Sequence, residues 1–178
     1  MNKVLLPLLL LLLVANTIAA QTKLHPVIQG YGEIYDVPYA EEKPDPKMAY
    51  KIVVDIGQPI EDSSIIFETF DHVARMYNLH IYGGVPREKL IVVVVVHAKS
   101  TPAFLNDEAY KKKYGINNPN TGIIAALNNA GIRLVVCAQS LEKQHIPPAG
   151  INPAVHIAVS RFTAVSTYQL KGYALFKY

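Results

Sequence analysis

The sequence predicts an α/β domain with a five-stranded, mostly parallel sheet and helices on both faces. Three observations predict it. Five β-rich runs alternate with helical segments from Tyr50 onward, which is the pattern of a parallel sheet with crossover helices. The run Leu90–Val96 is Leu-Ile followed by five valines; a strand apolar on both sides is a central strand covered by helices. The chain has 178 residues and 51% hydrophobic content, enough for one domain with a proper core.

The elements follow in order. Residues 1–20 carry Lys3, an apolar run from Val4 to Val14 and a small-residue end, Ala19-Ala20. This is the pattern of a secretory signal peptide rather than a membrane span, which needs about 20 apolar residues. The expectation is export, with a periplasmic location and no membrane span once the signal is removed. Without Lys3 the 17 basic residues become 16 against 14 acidic ones. Residues 21–48 are rich in Pro and Gly and read as an extended N-terminal arm that wraps the domain or a neighbouring subunit, or as a partly ordered tail. The domain proper spans 49–178.

Lys51–Ile56 is the first strand, closed by Gly57 and Pro59. Ile65–Tyr82 places Ile66, Phe70, Val73, Met76, Tyr77 and Leu79 mainly three and four apart, an amphipathic helix, stopped by Gly83-Gly84. After the valine strand come a helix near 103–113, a turn at Gly115 and a helix near 119–130. The latter has Asn118 as its N-cap, Pro119 in first position and Gly131 at its end. Ile132–Cys137 is the third strand, followed by a short helix from about Ser140 to His145. Val155–Val159 is the fourth strand. Ser160 caps a last helix stopped by Gly172, and Tyr173–Phe176 is the fifth strand.

Composition excludes several functions. One cysteine rules out an internal disulfide framework and a Cys-rich zinc module. The net charge of +3 is dispersed, unlike the concentrated basic face of a nucleic-acid binder. His72 and His80 are eight residues apart, which is no metal-ligand spacing. No phosphate-binding glycine motif or Gly-x-Ser-x-Gly elbow is present. No cofactor and no metal are expected.

In open α/β sheets ligands bind beyond the carboxyl ends of the strands. Those ends carry Asp55, His97, Cys137 and Ser160-Arg161. If the first three strands are neighbours, about 4.8 Å apart, Asp55, His97 and Cys137 share one crevice. Each also has a plain structural reading: a cysteine as a small apolar group, a histidine closing the sheet, an aspartate accepting turn amides. Together they form a setting for a thiolate, with His97 as imidazolium and the amides of a following helix lowering the thiol pKa.

The segment Ala130-Gly-Ile-Arg-Leu-Val-Val-Cys137-Ala-Gln-Ser140 resembles the strand-and-turn motif of the DsrE/DsrF-like sulfur-relay proteins. Val93–His97, Tyr110–Asn120 and Leu170–Leu175 are similar to secreted, single-domain members. The resemblance covers about residues 50–178. It implies a flavodoxin-like three-layer α/β/α domain, assembly into a homo-oligomer (trimer or hexamer), and a persulfide on Cys137. The signal peptide departs from the cytoplasmic relay proteins. The expected function is a periplasmic sulfur carrier or sulfurtransferase-like protein. Cys137 would take sulfur from a small sulfur compound and pass it to an acceptor thiol. His97 would act on the thiol proton, Asp55 would orient His97, and Ala138, Gln139, Ser140 and Ser160 would line an anion site. The alternatives are a non-catalytic oligomeric protein that binds a small ligand, and a cysteine hydrolase with Cys137, His97 and Asp55 as its triad.

Overall fold

A computed structural model describes residues 22–178; residues 1–20, expected to be a signal peptide, lie outside the described residues. Two short strands, β1 (Lys23–Leu24) and β2 (Ile34–Tyr35), pair antiparallel. Then follow β3 (Tyr50–Ile56), α1 (Glu68–Tyr82), β4 (Leu90–Val96), α2 (Asp107–Tyr114), α3 (Thr121–Asn129), β5 (Arg133–Cys137), α4 (Ala138–Lys143), β6 (Val155–Ala158), α5 (Arg161–Leu170) and β7 (Ala174–Lys177). The main sheet has the order β6-β5-β4-β3-β7, with every neighbouring pair parallel. Consecutive strands from β3 to β6 are therefore neighbours, and only the last crossover returns over the sheet to place β7 beside β3.

Period-two alternation divides the side chains of the central strands between two faces. On β3 and β4 the even-numbered residues Ile52, Val54, Ile56, Val92, Val94 and Val96 join Phe70, Phe104, Ile124 and Leu127 in the large core. The odd-numbered residues Val53, Val93 and Val95 meet Val135 and Val165 in a small core under α5. This is a three-layer domain with unequal outer layers, as the unbroken valine run of β4 requires.

Several element boundaries differ from the sequence expectation, each for a local reason. α1 begins at Glu68 rather than Ile65, because Asp62 captures the amide of Ser64 in a turn and Phe67 donates its N–H to Asn120 Oδ1. The helix expected near 103–113 is two pieces. Ala98–Phe104 is a 3-10 segment containing Pro102, and α2 starts afresh where the Asn106 side chain accepts the Ala109 N–H. Asn118 is not the N-cap of α3. It is a buried strut whose side chain donates to the carbonyls of Ala103 and Leu105 and accepts from the Asn120 amide. α4 begins at Ala138, directly after Cys137, not near Ser140.

The arm folds on its own domain. Asn78, fully buried on α1, accepts the amides of Val27 and Ile28 and donates to the carbonyls of Tyr31 and Gly32. Gly32 has φ +61° and presses on the backbone of Ala74 and Arg75, where a Cβ has no room. Ile28 adds an apolar anchor.

Candidate functional site

The parity that builds the cores also places the site. Val96 pairs with Val136, and Ile56 with Val96. The residues at and just beyond the strand ends, Asp55, His97 and Cys137, continue the odd-numbered face, beneath the start of α5. The lower odd positions on these strands are valines in the small core, so that face turns polar only at its rim.

Asp55 is 1% exposed and has two partners. Arg161, the first residue of α5, donates from Nη2 to Oδ2 at 2.8 Å and from Nε to both oxygens at 3.2 and 3.3 Å. His97 Nε2 lies 3.1 Å from Oδ1. A carboxylate can only accept, so this contact places the imidazole proton on Nε2 and leaves the lone pair on Nδ1. Desolvation lowers the His97 pKa below its ordinary 6.5, opposed by Asp55 and reinforced by Arg161 and Lys177. Burial thus favours the neutral ring over the imidazolium expected from sequence. The Arg161 pKa is raised, first by its hydrogen bonds to Asp55 and lastly by the Cys137 thiol. Arg161 is thus the cation of the rim. The His97 ring faces Asp55 and the charges of Arg161 and Lys177; no hydrogen bond joins it to Cys137, which lines the same cleft.

Gly57 makes room for this arrangement. A Cβ there would collide with the His97 ring. On the other side, α4 clamps the turn after β4. Ser140 Oγ accepts the Ala98 amide at 2.9 Å, and Gln144 Nε2 donates to the Ala98 carbonyl at 2.7 Å. Ala98 has φ +49°, a left-handed conformation uncommon for a residue with a side chain. These two hydrogen bonds hold the strained turn and with it the position of His97.

Cys137 is 4% exposed and occupies the N-cap position of the six-residue α4. It forms part of the wall of an open cleft of about 650 Å³, with His97, Lys99, Lys143, Arg161 and Phe162. Gln139, Ser140 and Ser160 also line the cleft; Ala138 does not. Both hydroxyls are already engaged: Ser140 with Ala98, and Ser160 as the α5 cap accepting the Thr163 amide at 3.1 Å. Gln139 reaches the Val159 carbonyl at 3.4 Å. The structure thus gathers Asp55, His97 and Cys137 on one rim and gives the serines positioning contacts. Sequence reasoning placed Arg161 at a strand end but gave it no role, and it missed Lys99, Lys143 and Phe162. Among the described residues, no group of three His, Cys, Asp or Glu side chains is placed to hold a metal ion, and no helix is long and apolar enough to cross a membrane.

The family is decided by a match of residues 50–178 to the model of the DsrE/DsrF-like family. The chain belongs to the DsrE/DsrF-like family. Two solved structures share its fold. The protein of unknown function MTH1491 from Methanobacterium thermoautotrophicum is 18% identical, with a TM-score of 0.55, over 72% of this chain and 99% of that one. The ychN protein from E. coli is 14% identical, with a TM-score of 0.54, over the same shares. At these identities the likeness concerns the fold. No curated protein matches the sequence significantly. In this DsrE/DsrF-like chain, the matched region contains every residue of the cleft, while the arm lies before it.

Proposed function

We propose that this DsrE/DsrF-like protein is an exported, periplasmic sulfur carrier that holds sulfane sulfur as a persulfide on Cys137 and passes it to an acceptor thiol. The observation that carries the reading is the placement of Cys137: at the carboxyl end of β5, in the wall of a cleft, with the Arg161 guanidinium nearby. The position is where open α/β sheets bind ligands, and the Arg161 guanidinium lines the same cleft. His97 holds its Nε2 proton toward Asp55 and lines the same cleft as the thiol. Asp55 fixes the tautomer and compensates Arg161. Cys137 has no cysteine partner within the chain, so the sulfur must leave to another molecule. The exposed apolar side chains Val159 and Phe162 beside the cleft support assembly into a homo-oligomer, a trimer or hexamer.

Mass spectrometry after exposure to polysulfide tests the reading. The expected result is a gain of about 32 Da, one sulfur atom, on the wild type and none on Cys137→Ser. A Cys137 that thiol reagents label but that never gains sulfur overturns it. The 4% exposure of Cys137 favours one second reading, a non-catalytic ligand-binding protein with an inert thiol. Resistance of Cys137 to alkylation in the native protein would select that reading. The hydrolase alternative draws less support, because the His97 ring faces Asp55 and no hydrogen bond joins it to the thiol.

A further inference from the structure

The cleft has a charge pattern that restricts what enters it. Lys99 and Lys143 stand in its wall and are exposed. Among the described residues neither has a carboxylate within ion-pair distance; the ion pairs lie elsewhere. Arg161 is compensated by Asp55, yet that pairing uses only Nε and one proton of Nη2, leaving three of its five donors. Its guanidinium is steadied 4.7 Å from the Phe162 ring. No Asp or Glu is among the lining residues, and Asp55, behind Arg161, is buried and already paired. The cleft therefore presents two uncompensated positive charges and spare guanidinium donors around a thiol, with no anion facing the opening.

We propose that the sulfur donor is a small anion, its acid group held by Lys99, Lys143 and the free donors of Arg161 while its sulfane sulfur meets Cys137. This rests on the carrier reading above and names the substrate class for it. With thiosulfate as the simplest such donor, the Cys137 thiol first loses its proton to solvent in the open cleft. The thiolate then attacks the outer sulfur, a Cys–S–S bond forms, and the bond between the two thiosulfate sulfurs breaks. Sulfite leaves with the electron pair. Cys137 is left as a persulfide anion, and no external oxidant or reductant is needed.

A charge-matched pair of alkylating agents tests the anion preference without sulfur chemistry. The rate of Cys137 labelling by iodoacetate is divided by that for iodoacetamide and normalised to the same ratio for free N-acetylcysteine. The expected ratio is raised about threefold to tenfold at low ionic strength and fades toward about 1 M salt. Lys99→Gln with Lys143→Gln, both on exposed side chains, lowers it toward the free-thiol value, with Arg161 accounting for what remains. A ratio that equals the free thiol's, or that the double variant leaves unchanged, overturns the proposal. Sulfur loading from thiosulfate, read as a gain of about 32 Da, and attack on neutral dimethyl trisulfide, read as a methylated adduct of about 46 or 78 Da with methyl persulfide or methanethiolate leaving, separate the two failures on the same samples. Reaction with both donors without charge preference leaves the carrier reading intact and removes this one. Anion-selective alkylation without any loading removes the carrier reading and keeps an anion-selective cleft. Failure of both alkylating agents to label native Cys137 overturns both.

Discussion

The two faces of the sheet are made from the same strands and behave as different materials. On the α1/α3 face the even-numbered side chains of β3 and β4 stay apolar to the carboxyl end, finishing in Ile56 and Val96. On the α5 face the odd-numbered ones are valines for most of the strand length and then become Asp55, His97 and, on β5, Cys137. One face is a closed hydrocarbon layer under several elements; the other is a thin core under a single helix, open to a cleft at one end. Stability and chemistry are thus divided by residue parity, and a one-residue register slip would exchange them.

The largest expected effect tests the sealed face. Phe70 is fully buried and stacked on Phe104 with ring centroids 5.0 Å apart. Phe70→Ala should cost about 3–5 kcal/mol, seen as a lower urea midpoint, while the molecules still folded keep wild-type Cys137 labelling. Loss of labelling in step with stability would show that the faces are not independent.

The rim comes next. Arg161→Met leaves the buried Asp55 charge without its main partner and should cost about 3 kcal/mol. Adding Asp55→Leu should recover most of that loss, because removing both members of a pair leaves no stranded charge. If the double variant is no more stable than the single one, the Arg161–Asp55 pair is not the structural unit proposed for the open face.

Gly57→Ala sharpens the division further. The new Cβ meets the end of the His97 side chain, which can turn away. Stability should change by less than about 1 kcal/mol, but the ring leaves Asp55 and the pH profile of the His97 imidazole signals in NMR shifts. A large stability loss with an unchanged profile would refute that assignment.

The smallest effect is in mild acid. The folded-state His97 pKa is lowered, chiefly by burial, so the unfolded chain protonates first as pH falls through 6.5. The folded state then loses stability until its own lower pKa is passed, and no loss arises above the unfolded value. Urea titrations between pH 7.5 and 5 should show this decline, and His97→Gln should remove the part due to this residue.

The parts of the molecule that were legible in the sequence share a cause. The valine run can only be a covered central strand, and Asp55, His97 and Cys137 close their apolar runs by themselves. What escaped depends on contacts between distant residues. Arg161 acquires its role from Asp55, 106 positions away, and that pairing exists only because the last crossover passes over β3 and β4. Asn78 reads as one polar residue on an amphipathic helix, yet it grips four backbone groups of the arm. Asn118 has the local signature of a helix cap and is taken up instead by carbonyls of the preceding loop. The short helix after Cys137 starts at Ala138, and the grip of its Ser140 on the Ala98 amide has no local signature.

The returning crossover also makes the Asp55 pair depend on the last part of the chain. Strands β3 to β6 can form from near neighbours, but the partner of Asp55 and the strand beside β3 both come from the final segment, Arg161–Lys177. Until that segment docks, Asp55 has no guanidinium and the Val53 side of the sheet has no cover. Closure of one long loop therefore neutralises a charge and seals the small core together. A polypeptide interrupted before α5 would contain the thiol but lack the cation beside it, so a competent site becomes a report that the whole domain has closed.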